Sequence, residues 1–114
     1  MYGIPYNGLV SLRIIKTADY QEWFDSQDRQ TQVLVEARLL RIQDDEHFGF
    51  VNRFDGITEL KWKAGLRVYT AVKRPDVIVL LGGNKNGQQK DIKKAKRLLG
   101  EIDRMEAEHK KPRR

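Results

Sequence analysis

The apolar and polar positions in the first part of the chain predict a strand followed by a helix. Leu9 to Lys16, rich in β-branched and large apolar side chains, is typical of a strand. Thr17 comes next, and a threonine hydroxyl at that point can cap a helix. Three aromatic residues share one face of that helix: Tyr20, Trp23 and Phe24.

A second helix follows after a short polar break, with Asp28 as its candidate N-cap. Its apolar side chains form one broad stripe. The expected centre of the stripe is Val33, Ala37 and Leu40, and three further residues widen it: Val35, Leu39 and Ile42. Because the link between the two helices is short, we expect an antiparallel helical hairpin with its apolar face in the core.

The next segment, Asp44 to Gly56, is polar and contains glycine, so the sequence predicts a connection there rather than a strand. Phe48, Phe50 and Phe54 are expected to hold this connection against the domain.

Two alternating segments, ITELKWK and LRVYTAVK, then predict a β-hairpin. A two-residue turn would pair Trp62 with Arg67 and mix the two faces of the hairpin. A three-residue turn, with Gly65 in the left-handed conformation, instead pairs Trp62 with Leu66 and keeps the apolar side chains together. We therefore predict the three-residue turn.

This register also determines which charged side chains meet on the other face of the hairpin. It places Lys61 opposite Arg67 and Glu59 opposite Tyr69, with Lys63 on the same face. Like charges directly across a strand pair are unfavourable. The two cations therefore indicate an anionic partner, unless this is an ordinary solvated face on which Glu59 is the counter-charge.

The last part of the chain predicts a strand and a long helix. The apolar run Val77 to Leu81 is typical of a strand covered on both faces. Gln88 to Met105 follows as a helix with four residues directed inward: Ile92, Ala95, Leu99 and Ile102.

The predicted order is β-α-α-β-β-β-α, which describes one α+β domain over residues 1–114. The helical hairpin and the C-terminal helix are expected to pack on a mainly antiparallel four-stranded sheet. Residues 1–8 are interpreted as an N-terminal arm and residues 107–114 as a basic tail, and both are expected to be flexible.

Charge is distributed unevenly along the chain. Residues 57–114 contain 16 basic and 7 acidic side chains, whereas residues 1–56 contain 6 basic and 9 acidic ones. A basic second half favours a polyanionic partner, of which nucleic acid is the commonest. A solvated helix face together with a disordered tail would give the same pattern.

Composition also limits the compartment and the chemistry. The chain has no Cys, which excludes disulfides and thiolate metal sites and favours a reducing cytoplasm. No apolar run approaches the roughly 20 residues of a membrane span, so no membrane partner is expected. His47 and His109 are too far apart for a two-histidine metal motif. No metal or other cofactor is therefore predicted.

The segment LLGGNKNGQQKDIKKAK, residues 80–96, resembles a nucleotide-binding loop only in outline. Gly82 and Gly87 meet half of the pattern. Gln88 and Gln89, however, stand where such a loop needs a lysine and a serine or threonine. A nucleotide-binding loop is therefore excluded.

Two segments taken together, ELKWKAGLRVYTAV and VIVLLGGNKNGQQKDIKKAK, resemble the RelE/ParE superfamily of toxins from type II toxin–antitoxin modules. The resemblance is to the HigB-like "addiction module killer" branch. Its second half commonly contains E-L-(basic), G-x-R-(V/I)-Y and L-L-x-G-G-x-K-x-x-Q-x-x-D-I-x-x-A. The likeness extends, in order, over about residues 10–105 and implies the RelE-like fold.

The resemblance implies a metal-independent, ribosome-dependent mRNA endonuclease (an mRNA interferase). By position, Arg67 matches the arginine expected to bind the scissile phosphate, and Lys85 matches a basic residue for phosphate binding or proton transfer. Lys61 is a weaker match to the basic cluster. Asp91 stands about where RelE has a tyrosine, and Glu59 about where it has a catalytic lysine. The general base is therefore open among Lys61, Lys85 and Asp91.

Further residues of the same segments are predicted to contact RNA. Gln88 and Gln89 can hydrogen-bond to phosphate or nucleobase, although Gln88 and Asp91 could equally cap the helix. Gly82-Gly83 would let an RNA backbone come close. The other predicted RNA-binding side chains lie on the hairpin and along the last helix: Lys63, Tyr69, Lys90, Lys94 and Arg97.

The implied partners are the ribosome, mRNA and a cognate antitoxin, often a helix-turn-helix protein encoded nearby, in a toxin–antitoxin hetero-oligomer. Two alternatives stay open. One is a ParE-like toxin that inhibits DNA gyrase without cutting RNA. The other is a catalytically inactive relative that only binds an antitoxin. ParE-like members typically lack a basic set such as Lys61, Arg67 and Lys85, so this set favours the nuclease.

Overall fold

The structure, a computed structural model, describes residues 11–110 of the 114-residue chain. Within that range the chain forms five strands and three helices, in order β1 (Arg13–Lys16), α1 (Ala18–Asp25), α2 (Arg29–Asp45), β2 (Val51–Phe54), β3 (Ile57–Lys61), β4 (Leu66–Lys73), β5 (Asp76–Asn84) and α3 (Gln88–His109). A single 3-10 turn, Lys85–Gly87, joins β5 to α3. The α+β class is confirmed.

The five strands form one sheet in the order β1-β5-β4-β3-β2. Strand β1 runs parallel to β5, and the other neighbouring pairs are antiparallel. The sheet is therefore mainly antiparallel, as predicted, but it has five strands instead of four.

The additional strand, β2, comes from the segment that was predicted to be a connection, and that prediction was wrong. Strand β2 pairs with β3 across Asp55-Gly56, where both residues have positive φ, 49° and 80°. An Asp-Gly pair in this conformation makes the two-residue turn of a tight hairpin. This dipeptide was the local signal for the hairpin. Phe50, expected to hold the segment down, is 62% exposed.

Both helices of the hairpin begin at the predicted caps. The Thr17 hydroxyl oxygen accepts a hydrogen bond from the Tyr20 backbone N–H at 3.1 Å. The Asp28 carboxylate accepts one from the Thr31 backbone N–H at 2.8 Å. Each side chain satisfies a backbone donor that the first turn of a helix leaves unpaired.

The buried face of α2 is not the one expected to be at the centre of its apolar stripe. Val35, Leu39 and Ile42 are buried, whereas Val33 is 53% and Leu40 is 55% exposed. Both sets repeat at i, i+4 and i+7, so helical periodicity alone does not choose between them. Contact with the sheet makes the choice.

Helices cover the sheet on both faces. The α1–α2 hairpin packs on one face against Leu60, Val68 and Val79. Helix α3 packs on the other face through Ala95 and Leu99, with Ile92 and Ile102 partly buried beside them, as predicted. Most of β5 is buried, which confirms the strand predicted to be covered on both faces.

The register of the β3–β4 hairpin is the predicted one. Lys61 lies opposite Arg67 and Glu59 opposite Tyr69. Trp62 donates its backbone N–H to the Leu66 carbonyl at 3.1 Å, and Gly65 has a φ of 102°, so the turn contains three residues. The face that carries Glu59 and Tyr69 is not solvated, however, since both side chains are fully buried.

Two expectations concern the ends of the chain. Residues 1–8, interpreted as an arm, lie outside the described residues. Helix α3 continues to His109, so residues 107–109, assigned to a flexible tail, are helical. Within residues 11–110, no helix is both long enough and apolar enough to cross a membrane.

Candidate active site where β4, β5 and α3 meet

The adjacent glycines at the end of β5 receive side chains from both helical layers. A Cβ atom at Gly82 would collide with the Trp23 indole, which approaches from α1. A Cβ atom at Gly83 would collide with the Asp91 carboxylate, which approaches from α3. The expectation that these glycines admit an RNA backbone is therefore wrong, because side chains of the chain itself fill the space.

Arg67 is the central cation of the site, and its side chain is only 11% exposed. Its Nη1 donates to the main-chain carbonyls of Trp62 at 3.1 Å and Leu66 at 3.0 Å. Its Nε has no hydrogen-bond partner among the described residues and lies 3.7 Å from Glu59 Oε2. The carbonyls thus fix the guanidinium while part of its donor capacity stays unused.

Glu59 is the buried counter-charge of Arg67. Its side chain is fully buried, and its Oε2 accepts a hydrogen bond from Gln88 Nε2 at 2.6 Å. The ammonium of Lys61 instead lies 5.0 Å from the centre of the Phe50 ring. The structure thus gives Arg67 a local counter-charge, as one alternative expected, but on a buried face and not on a solvated one. Gln88 is bonded to Glu59, and within residues 11–110 no side chain caps the start of α3.

Tyr69 lies beneath α3 and is fully buried, so the prediction that it contacts RNA was wrong. Its hydroxyl has no hydrogen-bond partner among residues 11–110. Burial raises the pKa of Tyr69 well above its ordinary value, and the negative charges of Glu59 and Asp91 raise it further. Tyr69 therefore stays a neutral hydroxyl behind the site.

Asp91 is the partly exposed carboxylate of the site. It lies over Gly83, which is the β5 partner of Arg67. Desolvation raises the pKa of Asp91, while the positive charges of Lys90 and Lys94 partly oppose that rise. A carboxyl group shifted in this direction exchanges protons more readily near neutral pH.

Lys85 crosses the turn of the β3–β4 hairpin. Its backbone N–H donates to the Gly65 carbonyl at 2.7 Å. Its aliphatic stem runs along Gly65, where an added Cβ would lie 3.1 Å from Lys85 Cγ. The side chain is exposed, at the same end of the sheet as Arg67.

The remaining predicted RNA-binding residues are distributed around this cluster. Lys63 is exposed on the hairpin turn, and Gln89 and Lys90 are exposed at the start of α3. Lys94 forms an ion pair with Asp19 at 3.6 Å, and Arg97 is exposed further along α3. The structure thus groups Arg67, Glu59, Gln88, Asp91 and Lys85. The ammonium of Lys61 lies over Phe50 and that of Lys94 pairs with Asp19.

The two histidines of the chain lie away from this cluster. His47 and His109 are exposed and lie on other segments. Among residues 11–110, no three His, Asp or Glu side chains are grouped closely enough to hold a metal ion.

Sequence reasoning missed one arginine, Arg38 on α2. It donates to three main-chain carbonyls, those of Phe48 at 2.9 Å, Phe50 at 2.6 Å and Lys61 at 2.5 Å. Its guanidinium also lies 4.3 Å from the centre of the Trp62 ring. These partners are distant in sequence, so no local pattern indicated this role.

Comparison with known proteins identifies the family. The chain is 31% identical over 97 residues to an uncharacterized protein of Haemophilus influenzae, and the match covers 82% of this chain and 98% of that protein. The chain belongs to the same family as that protein. No family model matches the sequence.

Solved structures show which fold this chain has. The isolated Escherichia coli RelE toxin superposes with a TM-score of 0.54 and 11% identity, covering 65% of this chain and 84% of that chain. The intact E. coli RelBE toxin–antitoxin complex gives the same TM-score and identity and covers 65% and 96%. The chain therefore has the RelE fold, as the resemblance implied.

Proposed function

We propose that this protein is a HigB-like toxin of a type II toxin–antitoxin module that cleaves mRNA on the ribosome and is neutralised by a cognate antitoxin. The observation that carries the proposal is the convergence of Arg67, Lys85 and Asp91 at one end of the sheet. The RelE fold supports it, because E. coli proteins of this fold are a toxin and a toxin–antitoxin complex.

Cleavage of RNA by its own 2′-hydroxyl makes three chemical demands. The 2′ oxygen attacks the adjacent phosphorus and the bond from phosphorus to the 5′ oxygen breaks, which leaves a cyclic phosphate and a 5′-hydroxyl. A base accepts the proton of the 2′-hydroxyl, and an acid gives a proton to the leaving oxygen. Cations stabilise the charge that develops on the phosphoryl oxygens.

Arg67 meets the demand for charge stabilisation. Two main-chain carbonyls hold its guanidinium in a fixed orientation, so little reorganisation is needed when a phosphate binds. Glu59 makes the nearly buried charge tolerable, and Gln88 holds Glu59 in place. A fixed cation away from bulk water interacts more strongly with a phosphate than an exposed one.

Asp91 and Lys85 meet the remaining demands. Asp91 is assigned as the group that accepts the 2′-hydroxyl proton, because burial shifts its pKa upward and one side of it is open to solvent. Lys85, exposed beside the hairpin turn, contributes a second positive charge at the phosphate and is assigned as the donor that protonates the leaving 5′ oxygen. The positive balance of residues 57–114 suits a ribosome-bound mRNA.

The test is translation with purified ribosomes, in which the ends of the mRNA fragments are mapped. Wild-type protein is expected to cut mRNA only when ribosomes are present. Lys85→Ala is expected to lower the cleavage rate about a hundredfold, since it removes a cation from the transition state. Lys93→Ala, an equally exposed change on α3 outside the site, is the matched control and should stay within about twofold.

Arg67 is tested with lysine instead of alanine. Alanine would leave Glu59 buried without a counter-charge and could unfold the protein. Arg67→Lys keeps the positive charge beside Glu59 but loses the planar fork, so cleavage per folded molecule should fall at least about tenfold, and circular dichroism checks that the variant is folded.

Two results would overturn the proposed nuclease activity. Intact mRNA with wild-type protein, together with inhibited supercoiling by DNA gyrase, would establish the ParE-like alternative. Intact mRNA with unaffected gyrase and a bound antitoxin would establish the inactive relative.

A further inference from the structure

A cleft of about 520 Å³ opens between the helical hairpin and the β3–β4 turn, on the face of the sheet opposite Arg67. Both tryptophans of the chain, Trp23 and Trp62, line it. Leu34 and Leu66 complete the apolar wall, and Lys63 and Asn84 contribute polar groups. The volume lies within the range of about 300 to 1,000 Å³ that is usual for pockets that hold small ligands.

Neighbouring groups fix the two indoles. Trp23 packs across the backbone of Gly82, and its ring centre lies 5.8 Å from that of Tyr20. Trp62 has the Arg38 guanidinium over its ring at 4.3 Å. Both indoles are half-buried, so each is held in place and still reaches the cleft. Fixed aromatic walls bind a flat ring at a low cost in conformational entropy.

We propose that this cleft binds a nucleobase of single-stranded RNA whose backbone passes over the hairpin turn toward Arg67. The inference rests on the proposed function, since it takes RNA as the ligand. Single-stranded RNA is commonly recognised by stacking of splayed-out bases on aromatic side chains, with hydrogen bonds to the base edges. Indole rings together with the Asn84 amide and the Lys63 ammonium provide that combination.

The path from the cleft to Arg67 favours RNA over an uncharged ligand. Lys63 lies at the rim of the cleft, and the stem of Lys85 crosses the turn along Gly65. Arg67 follows on the far face of the same hairpin. A strand of RNA that passes over the hairpin turn therefore meets a cation at each step, as backbone-tracking grooves require.

The two tryptophans make a direct test available. Because the chain has no other tryptophan, its intrinsic fluorescence reports on this cleft. The probe is 2′-O-methyl hexaadenylate, whose blocked 2′ oxygen cannot attack phosphorus. It is expected to quench the fluorescence in a saturable way. Inorganic polyphosphate, which has the charge without the bases, is expected to leave the fluorescence unchanged.

A pair of matched variants separates the cleft from general electrostatics. Leu34 and Leu40 both lie on α2 and are 47% and 55% exposed, but only Leu34 lines the cleft. Leu34→Glu is expected to weaken oligonucleotide binding about tenfold, the effect of losing one stacked base. Leu40→Glu adds the same charge elsewhere and should change binding less than about twofold.

The outcomes distinguish this proposal from the proposed function. Equal loss with both variants, or equal quenching by polyphosphate, would overturn the cleft. Cleavage of mRNA without any quenching would overturn the cleft and leave the nuclease standing. Quenching with the expected variant pattern, alongside intact mRNA on ribosomes, would support the cleft and overturn the nuclease. Where circular dichroism shows that Leu34→Glu is unfolded, Ala64→Glu on the exposed turn tests the same wall.

Discussion

Arg38 and Arg67 lie on opposite faces of the β3–β4 hairpin and donate to neighbouring carbonyls of one strand end, yet their surroundings differ. Arg38 donates to the carbonyls of Phe48, Phe50 and Lys61 through its Nε and both Nη atoms. Arg67 donates to two carbonyls through Nη1 alone, and its Nε faces a buried carboxylate. Among residues 11–110, all three nitrogens of the first guanidinium donate hydrogen bonds, and only one nitrogen of the second does.

The two faces of the sheet also differ in the side chains that they bury near these arginines. The core beneath the helical hairpin is built from aliphatic and aromatic side chains such as Leu60 and Val68. Beneath α3 the same strands bury Glu59 and Tyr69. A buried charge is unfavourable unless it is paired, and Glu59, the buried charged side chain among residues 11–110, lies on the α3 face. The difference locates the candidate site independently of any sequence motif.

The two glycines of β5 provide the most severe test of this contrast. Gly82→Ala drives a methyl group into the Trp23 ring, which packing holds in place, and should lower the free energy of unfolding by about 3 kcal/mol. Gly83→Ala meets the end of the Asp91 side chain, which can move, so the loss should be about 1 kcal/mol. Urea denaturation measures both values.

Activity should show the reverse order for these two variants. Because Gly83→Ala displaces Asp91, it should lower mRNA cleavage more than Gly82→Ala does when equal amounts of folded protein are compared. A larger stability loss at Gly83, or unaltered cleavage by its alanine variant, would contradict the division of roles between the two faces.

Arg38→Lys tests whether the arginine under the helical hairpin is structural. Lysine keeps the charge but cannot reach three carbonyls at once, so stability should fall by about 2 kcal/mol. Chemical denaturation measures the loss, and Arg41→Lys at an exposed position of the same helix is the control, expected within about 0.5 kcal/mol. Cleavage per folded molecule should be unchanged. A large loss of cleavage with intact stability would place Arg38 in the site.

Asp91→Asn has the smallest expected effect on stability, and its sign depends on pH. Folding raises the pKa of Asp91 above its ordinary value of 3.8. In the pH window between the pKa of the unfolded state and that of the folded state, the folded state therefore binds more protons than the unfolded state. Wild-type stability therefore falls, relative to the asparagine variant, as pH rises through the window. The variant should become more stable by less than about 1 kcal/mol above it, since Asp91 is partly exposed.

The measurement is the difference in unfolding free energy between wild type and Asp91→Asn from about pH 3 upward. That range begins below the ordinary pKa of an aspartate side chain. A difference that shrinks as pH rises would show that the ionised carboxylate stabilises the fold. In that case Asp91 would act as the counter-charge of nearby cations, and its assignment as the proton acceptor would fail.

Much of the fold followed from local physical chemistry. Thr17 and Asp28 were recognisable as caps because their side chains bond to backbone groups only three residues away. The hairpin register followed from keeping Trp62 with Leu66, a choice confined to one turn. Strand β2 has a local signal too, since Asp55-Gly56 is a turn dipeptide, but the polar composition of the surrounding segment is typical of a connection.

The candidate site was accessible only in part. The motifs predicted Arg67, Lys85 and Asp91 as site residues, and all three lie at one end of the sheet. The burial of Glu59 and Tyr69 was not foreseeable from alternation, because a strand pattern does not show whether a distant helix covers its polar face.

The sequence by itself determined the periodic and local features of this protein: its caps, its hairpin turn, its basic second half and the ordered motifs. Tertiary structure alone decided which of two equivalent stripes on α2 faces the sheet, and why two glycines stand together. Gly82 and Gly83 are needed because helices more than 50 residues apart each send a side chain onto one strand from opposite faces. Such contacts depend on how layers pack, and close packing acts between elements that the local sequence does not relate.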